Sequence, residues 1–188
     1  MKLFIDTCNW KLILILKDQE KVIDSLIMHD TKKVSDIALS TITMLLSKNN
    51  LKIKDIKEFY LTNGPGSYTG VRVGLTIVKT LKTLNNQIKV YLINSLAFQA
   101  SNDKAISILD ARGNKYYIGV YEKQNALIKE TVVNLEELEE IKNTYKSFII
   151  KQDNESLDYI ETFNLLENKF TLVNEIEKIL PLYIKNFI

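Results

Sequence analysis

The chain has 188 residues, of which 46% are apolar and 26% charged, with a formal net charge of +2 and a single cysteine, Cys8. That length allows one large domain or two small ones around a sizeable core, and the basic residues are too evenly spread for a nucleic-acid-binding stripe, so any RNA contact is indirect or shared. One cysteine excludes an internal disulfide and fits a reducing, cytoplasmic setting, the apolar run Leu12–Leu16 falls far short of the roughly 20 residues of a membrane span, and Met1-Lys2 leads into a strand with no signal-peptide pattern.

Residues 2–6 (KLFID) read as a buried first strand, followed by a polar turn, Asp6-Thr7-Cys8-Asn9. Trp10–Lys17 and Lys21–Met28 read as two further strands of a meander. The run LILIL lacks polar alternation, which predicts burial on both faces. Thr31–Lys48 reads as a long helix ended by Asn49-Asn50. Val34, Ile37, Ala38, Thr41 and Leu45 form one apolar stripe on it, and Leu39, Ile42 and Leu46 a second. This is wider than the single stripe needed to cover a sheet: either the helix is sandwiched in the core or its outer face meets another protein.

Lys57–Thr62 reads as a strand running into a glycine-rich turn, Gly64-Pro65-Gly66, and a helix that opens at Ser67. Gly70 and Gly74 lie inside that helix, four apart and so on one face, and each costs about 1 kcal/mol against alanine. Close approach of another backbone, from this domain or from a partner chain, would offset the cost. Val71, Leu75, Val78 and Lys82 share one face, and Ile77 and Leu81 share an adjacent one with the glycines, while Val73 and Leu84 widen the apolar surface. The turn is neither of two familiar phosphate cradles. No Gly-Lys occurs in the chain, so a P-loop is excluded, and G-x-G-x-x-x-G is not the dinucleotide spacing. A generic anion site at the helix N-terminus remains open beside a ligand-free tight turn.

Lys89–Ile93 reads as a strand parallel to the previous one, and Ser95 as the cap of a short helix over 96–100. Asn102-Asp103-Lys104 marks a boundary that divides the chain into 1–102 and 103–188. Beyond it, Ala105–Asp110, Tyr116–Glu122 and Leu127–Val133 read as a second meander, with Gly113-Asn114 at its first turn. An acidic helix over 135–141, a strand over 146–150, a stretch of weak pattern over 152–169 and a last helix over 172–180 stopped by Pro181 complete the chain. Each half starts with a strand ending in Asp (Asp6, Asp110), then a turn and hairpin strands, which suggests tandem copies of one unit, the second smaller.

The chemistry on offer is sparse. His29 is the only histidine, so a histidine metal cluster is excluded, and it reads as a solvent-exposed linker residue. Cys8 reads as a small buried hydrophobe rather than a nucleophile. Asp6 either holds a metal or water near a phosphate or caps its own turn. Asp110 and Arg112 either pair at a surface turn or bind an anion. No constellation names a reaction.

Several stretches together resemble one family. GPGSYTGVRVGL (64–75) resembles the GPGSFTGLRVGL signature of TsaB, also called YeaZ; LFIDTCN resembles that family's first strand and turn, ILDARGNKYYIGVY (108–121) its D-A-R hairpin, and Pro181-Leu182-Tyr183-Ile184-Lys185 its P-x-Y-x-R ending. Residues 1–122 are covered well and 123–170 thinly. The resemblance implies a duplicated actin/Hsp70-like (ASKHA, RNase H-like) α/β fold with a reduced second subdomain. It also implies a non-catalytic subunit, with no peptidase activity. With the catalytic subunit TsaD and the ATPase TsaE, such a subunit supports threonylcarbamoyl transfer to adenosine 37 of ANN-decoding tRNAs.

The family's two long helices pack on TsaD, or on a second copy in isolation, as a four-helix bundle. Carried over, the interface comprises Val34, Ile37, Ala38, Thr41, Leu45, Ser67, Tyr68, Thr69, Gly70, Val71, Val73, Gly74, Ile77, Val78 and Leu81. Asp6, Thr7, Gly64, Gly66, Arg72, Asp110 and Arg112 form the candidate anion or nucleotide set. No metal and no intrinsic cofactor are implied; ATP or ADP enters only within the assembled complex. Cys8 stands where the family usually has Ser, which removes a hydroxyl from a turn that approaches phosphates in the wider superfamily. The competing readings are a small ATP-binding kinase or ATPase of the same fold and a plain homodimeric scaffold.

Overall fold

The computed structural model describes residues 1–31 and 33–184; Lys32 and the family-like position Lys185 lie outside the described residues. The first meander forms as β1 (Lys2–Asp6), β2 (Leu12–Asp18) and β3 (Lys21–Met28), with β1 antiparallel to β2 and β2 antiparallel to β3. Every residue from Leu12 to Lys17 is buried, as the unbroken apolar run predicts. Strand β2 starts two residues later than expected, because Asn9 and Trp10 take positive φ and belong to the turn. Helix α1 (Val34–Lys48) follows, then β4 (Glu58–Thr62), α2 (Tyr68–Leu84), β5 (Lys89–Ile93) and α3 (Ser95–Ala100). Strands β1, β4 and β5 run parallel. Ser67 caps α2 as expected, its hydroxyl accepting the Gly70 amide. The cap of α3 is Asn94 rather than Ser95: its side-chain oxygen accepts the Ala97 amide at 2.6 Å.

The second half repeats the plan. Strands β6 (Lys104–Arg112), β7 (Lys115–Glu122) and β8 (Asn125–Asn134) form a meander, α4 (Leu135–Thr144) crosses over, and β9 (Ile149–Gln152) returns parallel to β6. The sheet orders, β3-β2-β1-β4-β5 and β8-β7-β6-β9, show the duplication directly. The weak stretch contains a helix, α5 (Tyr159–Leu166), capped by Asp158. The expected last helix is absent. Residues 171–173 instead form β10 (Thr171–Val173), antiparallel to β5 at the edge of the first sheet, followed by a single 3-10 turn at Ile176–Lys178. Leu172 and Val173 meet an open sheet edge, and that ladder outweighs a marginal helical pattern.

Three apolar clusters stack the layers. Leu3, Ile5, Leu14 and Leu16 on one face of the first sheet meet Ala38, Ile42 and Leu45 of α1 and Leu75 and Val78 of α2. On the other face Phe4, Ile13 and Ile15 meet Phe98 of α3, Phe163 of α5, and Ala105, Leu109 and Tyr121 of the second sheet. The far face of that sheet, with Ile106, Ile118 and Val120, packs on Leu138 of α4. Helices α1 and α2 are therefore an outer layer.

Candidate docking face and cleft

The outer layer sorts the sequence-derived interface residues into two groups. Val34, Ala38, Thr41 and Leu45 of α1, and Gly70, Val71, Gly74 and Val78 of α2, are buried within this chain. They pack on the first sheet or on the turn after β1, so this chain itself covers them. Ile37, Ser67, Val73, Ile77 and Leu81 are half-buried, and Tyr68 and Thr69 are exposed. These seven remain for a partner. Leu39 of α1 and Leu84 of α2 are exposed as well, at 60% and 79%. The second apolar stripe of α1 already contained Leu39, but nothing in the pattern told which stripe faces the sheet. Between α1 and α2 lies a groove of about 460 Å³ lined by Leu39, Tyr68, Arg72, Val73, Thr76 and Ile77, with Ser35 and Thr69 at its end.

The helix-interior glycines are explained inside the chain. A Cβ at Gly70 would collide with the Thr7 carbonyl oxygen, and one at Gly74 would stand 3.0 Å from the Thr7 hydroxyl. The Thr7 hydroxyl donates to the Gly70 carbonyl at 2.7 Å and accepts the Gly74 amide at 3.2 Å. The close backbone is that of the turn after β1, and the expectation of a partner helix at the glycines is corrected.

A second feature is a cleft of about 530 Å³ between the turns at the ends of the two sheets. Thr7, Gly66, Asp110 and Arg112 of the anion set line it, together with Trp10, Gly70 and Asp153. The other members lie elsewhere. Asp6 is fully buried, accepting Thr62 Oγ1 at 2.7 Å and the Cys8 amide at 2.8 Å. It caps its own turn, and burial pushes its carboxyl above the usual range despite those two hydrogen bonds. Gly64 is buried at φ +100°, a value only glycine adopts freely. Arg72 lies over Tyr68 on the helix layer.

Within the cleft Asp110 and Arg112 do not pair side chain to side chain, and the buried Asn9 side-chain amide has no hydrogen-bond partner among the described residues. The Asp110 carboxylate accepts the Arg112 amide at 2.7 Å rather than its guanidinium. That guanidinium lies over the Trp10 ring, 5.1 Å from its centroid. Burial and the Asp6 charge drive the Cys8 thiol far above its ordinary value, so Cys8 is inert, as read from the sequence. His29 is exposed. Among the described residues no cluster of three His, Cys, Asp or Glu side chains could hold a metal ion, and no helix is long and apolar enough to cross a membrane.

Comparison with known proteins agrees with this architecture. The family model described as TsaD, tRNA N6-adenosine threonylcarbamoyltransferase, matches residues 29–179. A Mycoplasma pneumoniae relative described only as uncharacterized is 32% identical over 175 residues, which is 89% of each chain. The Bacillus subtilis protein described as the tRNA threonylcarbamoyladenosine biosynthesis protein TsaB is 36% identical over 135 residues, 69% of this chain and 58% of that relative's length. In structure the chain is similar to YeaZ from Pseudomonas aeruginosa, with a TM-score of 0.71 over 97% of this chain and 99% of that one, at 17% identity. The fold is thus the duplicated actin/Hsp70-like one, and the chain belongs to the TsaB (YeaZ) family, within the wider group that the TsaD-type model describes.

Proposed function

We propose that this chain is a non-catalytic subunit in threonylcarbamoyladenosine formation at position 37 of ANN-decoding tRNAs, and that it docks the TsaD-type catalytic subunit through the outer faces of α1 and α2. The observation that carries this reading is the uncovered apolar surface of that layer, where exposed Leu39 of α1 lines one groove with half-buried Val73 and Ile77 of α2, and exposed Leu84 continues their row. Exposed apolar surface of this kind marks a protein contact. The printed role of the Bacillus subtilis relative supports the pathway. In this reading tRNA is met indirectly, the TsaE ATPase joins through the complex, and the isolated chain pairs with itself through the same layer. Co-expression of this chain with the catalytic subunit tests the proposal: the two should co-elute on gel filtration, and separate elution would overturn it.

The alternative, an ATP-binding kinase or ATPase of this fold, rests on the cleft. Of the groups expected to meet a nucleotide there, the Thr7 hydroxyl is bonded to α2, Asp6 is buried away from the cleft against Thr62, and the Arg112 guanidinium lies over the Trp10 ring. We therefore assign no intrinsic nucleotide to the chain, with ATP or ADP entering only in the assembled complex. Calorimetry with Mg-ATP on the isolated chain should show no heat of binding.

A further inference from the structure

The docking face has a charge as well as an apolar surface. Helix α2 carries Arg72, Lys79 and Lys82 and no acid, and α1 carries Asp36 and Lys48. Two of these cations are committed within the chain. Lys82 is turned inward, donating to the Ile88 carbonyl at 2.7 Å, and Lys48 pairs with Asp24 at 2.8 Å. Arg72 and Lys79 remain, seven residues apart and so on one stripe of the helix. Thr76 and Thr80 separate that stripe from the apolar row of Val73, Ile77 and Leu81.

Arg72 is held in place. Its guanidinium carbon sits 3.4 Å from the centroid of the Tyr68 ring and 5.3 Å from that of Tyr183, and its Nε donates to the Tyr183 hydroxyl at 2.7 Å. Tyr183 is brought there by the segment after β10, which is tied to the turn before α2 where the Leu182 amide donates to the Asn63 carbonyl at 2.7 Å. Among the described residues Arg72 is the only charged side chain lining the α1–α2 groove, and no carboxylate pairs with it.

We propose that Arg72, clamped by Tyr68 and Tyr183, selects the partner by charge, receiving a carboxylate from an acidic docking helix of the catalytic subunit. This rests on the docking reading above and names its specificity residue. A planar, pre-oriented guanidinium in apolar surroundings suits a two-point bond to a carboxylate. A second copy of this chain fits less well. Across a two-fold axis the same surface meets itself, so one interface gathers two sets of α2 cations. The only acid the helix pair offers in return is Asp36, at the start of α1 and already accepting the Ser35 hydroxyl at 3.0 Å.

The test measures affinity for the purified catalytic subunit at low and high salt, with Ile77→Glu reporting on the docking face and Arg72→Gln and Tyr183→Phe on the clamp. Ile77→Glu should abolish binding. Arg72→Gln should weaken it about tenfold and remove much of its salt dependence. Tyr183→Phe, which keeps the ring and loses the hydroxyl, should weaken it about threefold. If Ile77→Glu abolishes binding while Arg72→Gln leaves affinity and salt dependence unchanged, charge selection is overturned and the docking reading stands. If Ile77→Glu binds normally, both fall. Sedimentation of the chain alone supplies an independent arm. Self-pairing should strengthen as salt screens the like charges gathered there, and a dimer favoured by low salt would overturn the proposal.

Discussion

The hydroxyl of Thr7 sits between the carbonyl of Gly70 and the amide of Gly74, bridging one step of the α2 hydrogen-bond ladder. Two glycines that weaken a helix are thereby the seat on which the turn after β1 rests. Their combined cost of about 2 kcal/mol is offset by buried hydrogen bonds and by the close packing of α2 on the sheet.

Gly70→Ala should therefore destabilise the isolated chain, since its Cβ meets backbone that cannot turn aside. A loss of about 1–3 kcal/mol is expected, and Gly74→Leu should exceed it. Thr7→Val should cost about 1 kcal/mol through the lost hydroxyl. Urea unfolding of the monomer measures all three. Unchanged midpoints would show that the turn does not rest on the helix.

Adjacent residues on α2 should separate folding from docking. Ile77 is half-buried on the outer face, while Val78 is fully buried against the sheet. Ile77→Glu should leave the thermal midpoint within a few degrees of the parent. Val78→Glu should unfold the chain, because a carboxylate there has no partner. Equal effects on the two midpoints would mean that α2 is rotated from the orientation described.

Acid should loosen the clasp between the two halves. Glu167, just after α5, accepts hydrogen bonds from Lys2 of β1 and Lys17 of β2, and Lys17 is only 1% exposed. Burial alone would raise the Glu167 carboxyl, but the two lysines outweigh it and hold the value below the ordinary one. A depressed carboxylate contributes stability that is present above its unfolded value of about 4.3 and is lost as pH falls through the folded value. Glu167→Gln should remove that part of the acid slope. It should also cost about 1–3 kcal/mol at neutral pH by leaving Lys17 under-compensated. A stability curve against pH that is the same for both proteins would refute this.

Cys8 should be silent to thiol reagents in the native state. It is 1% exposed, and its raised value leaves almost no thiolate at neutral pH. Iodoacetamide followed by intact-mass measurement should label it only in denaturant. Rapid native labelling would place Cys8 in an open turn.

The sequence by itself determined the strands of both meanders, the parallel β4–β5 pair and the two long helices, because long apolar runs and strong periodicity dominate local choice. It also identified the family, through the 64–75 stretch. Of the seven residues in the candidate anion set, Thr7, Gly66, Asp110 and Arg112 line one cleft, while Asp6, Gly64 and Arg72 lie elsewhere. The signal for α5 was present as well, since Tyr159, Thr162, Phe163 and Leu166 are its buried positions at helical spacing. Only the tertiary structure decided three things. Residues 171–173 became a strand because the edge of β5 lay open to them. Gly70 and Gly74 turned toward Thr7 because the first sheet lies on that side of α2. Of the apolar faces of α1 and α2, those bearing Ala38, Leu45 and Val78 were buried and those bearing Leu39 and Ile77 left outward. A helix that is apolar over most of its girth carries no local mark of which side the core will take; that side is set by contacts distant in sequence, and periodicity alone does not record them.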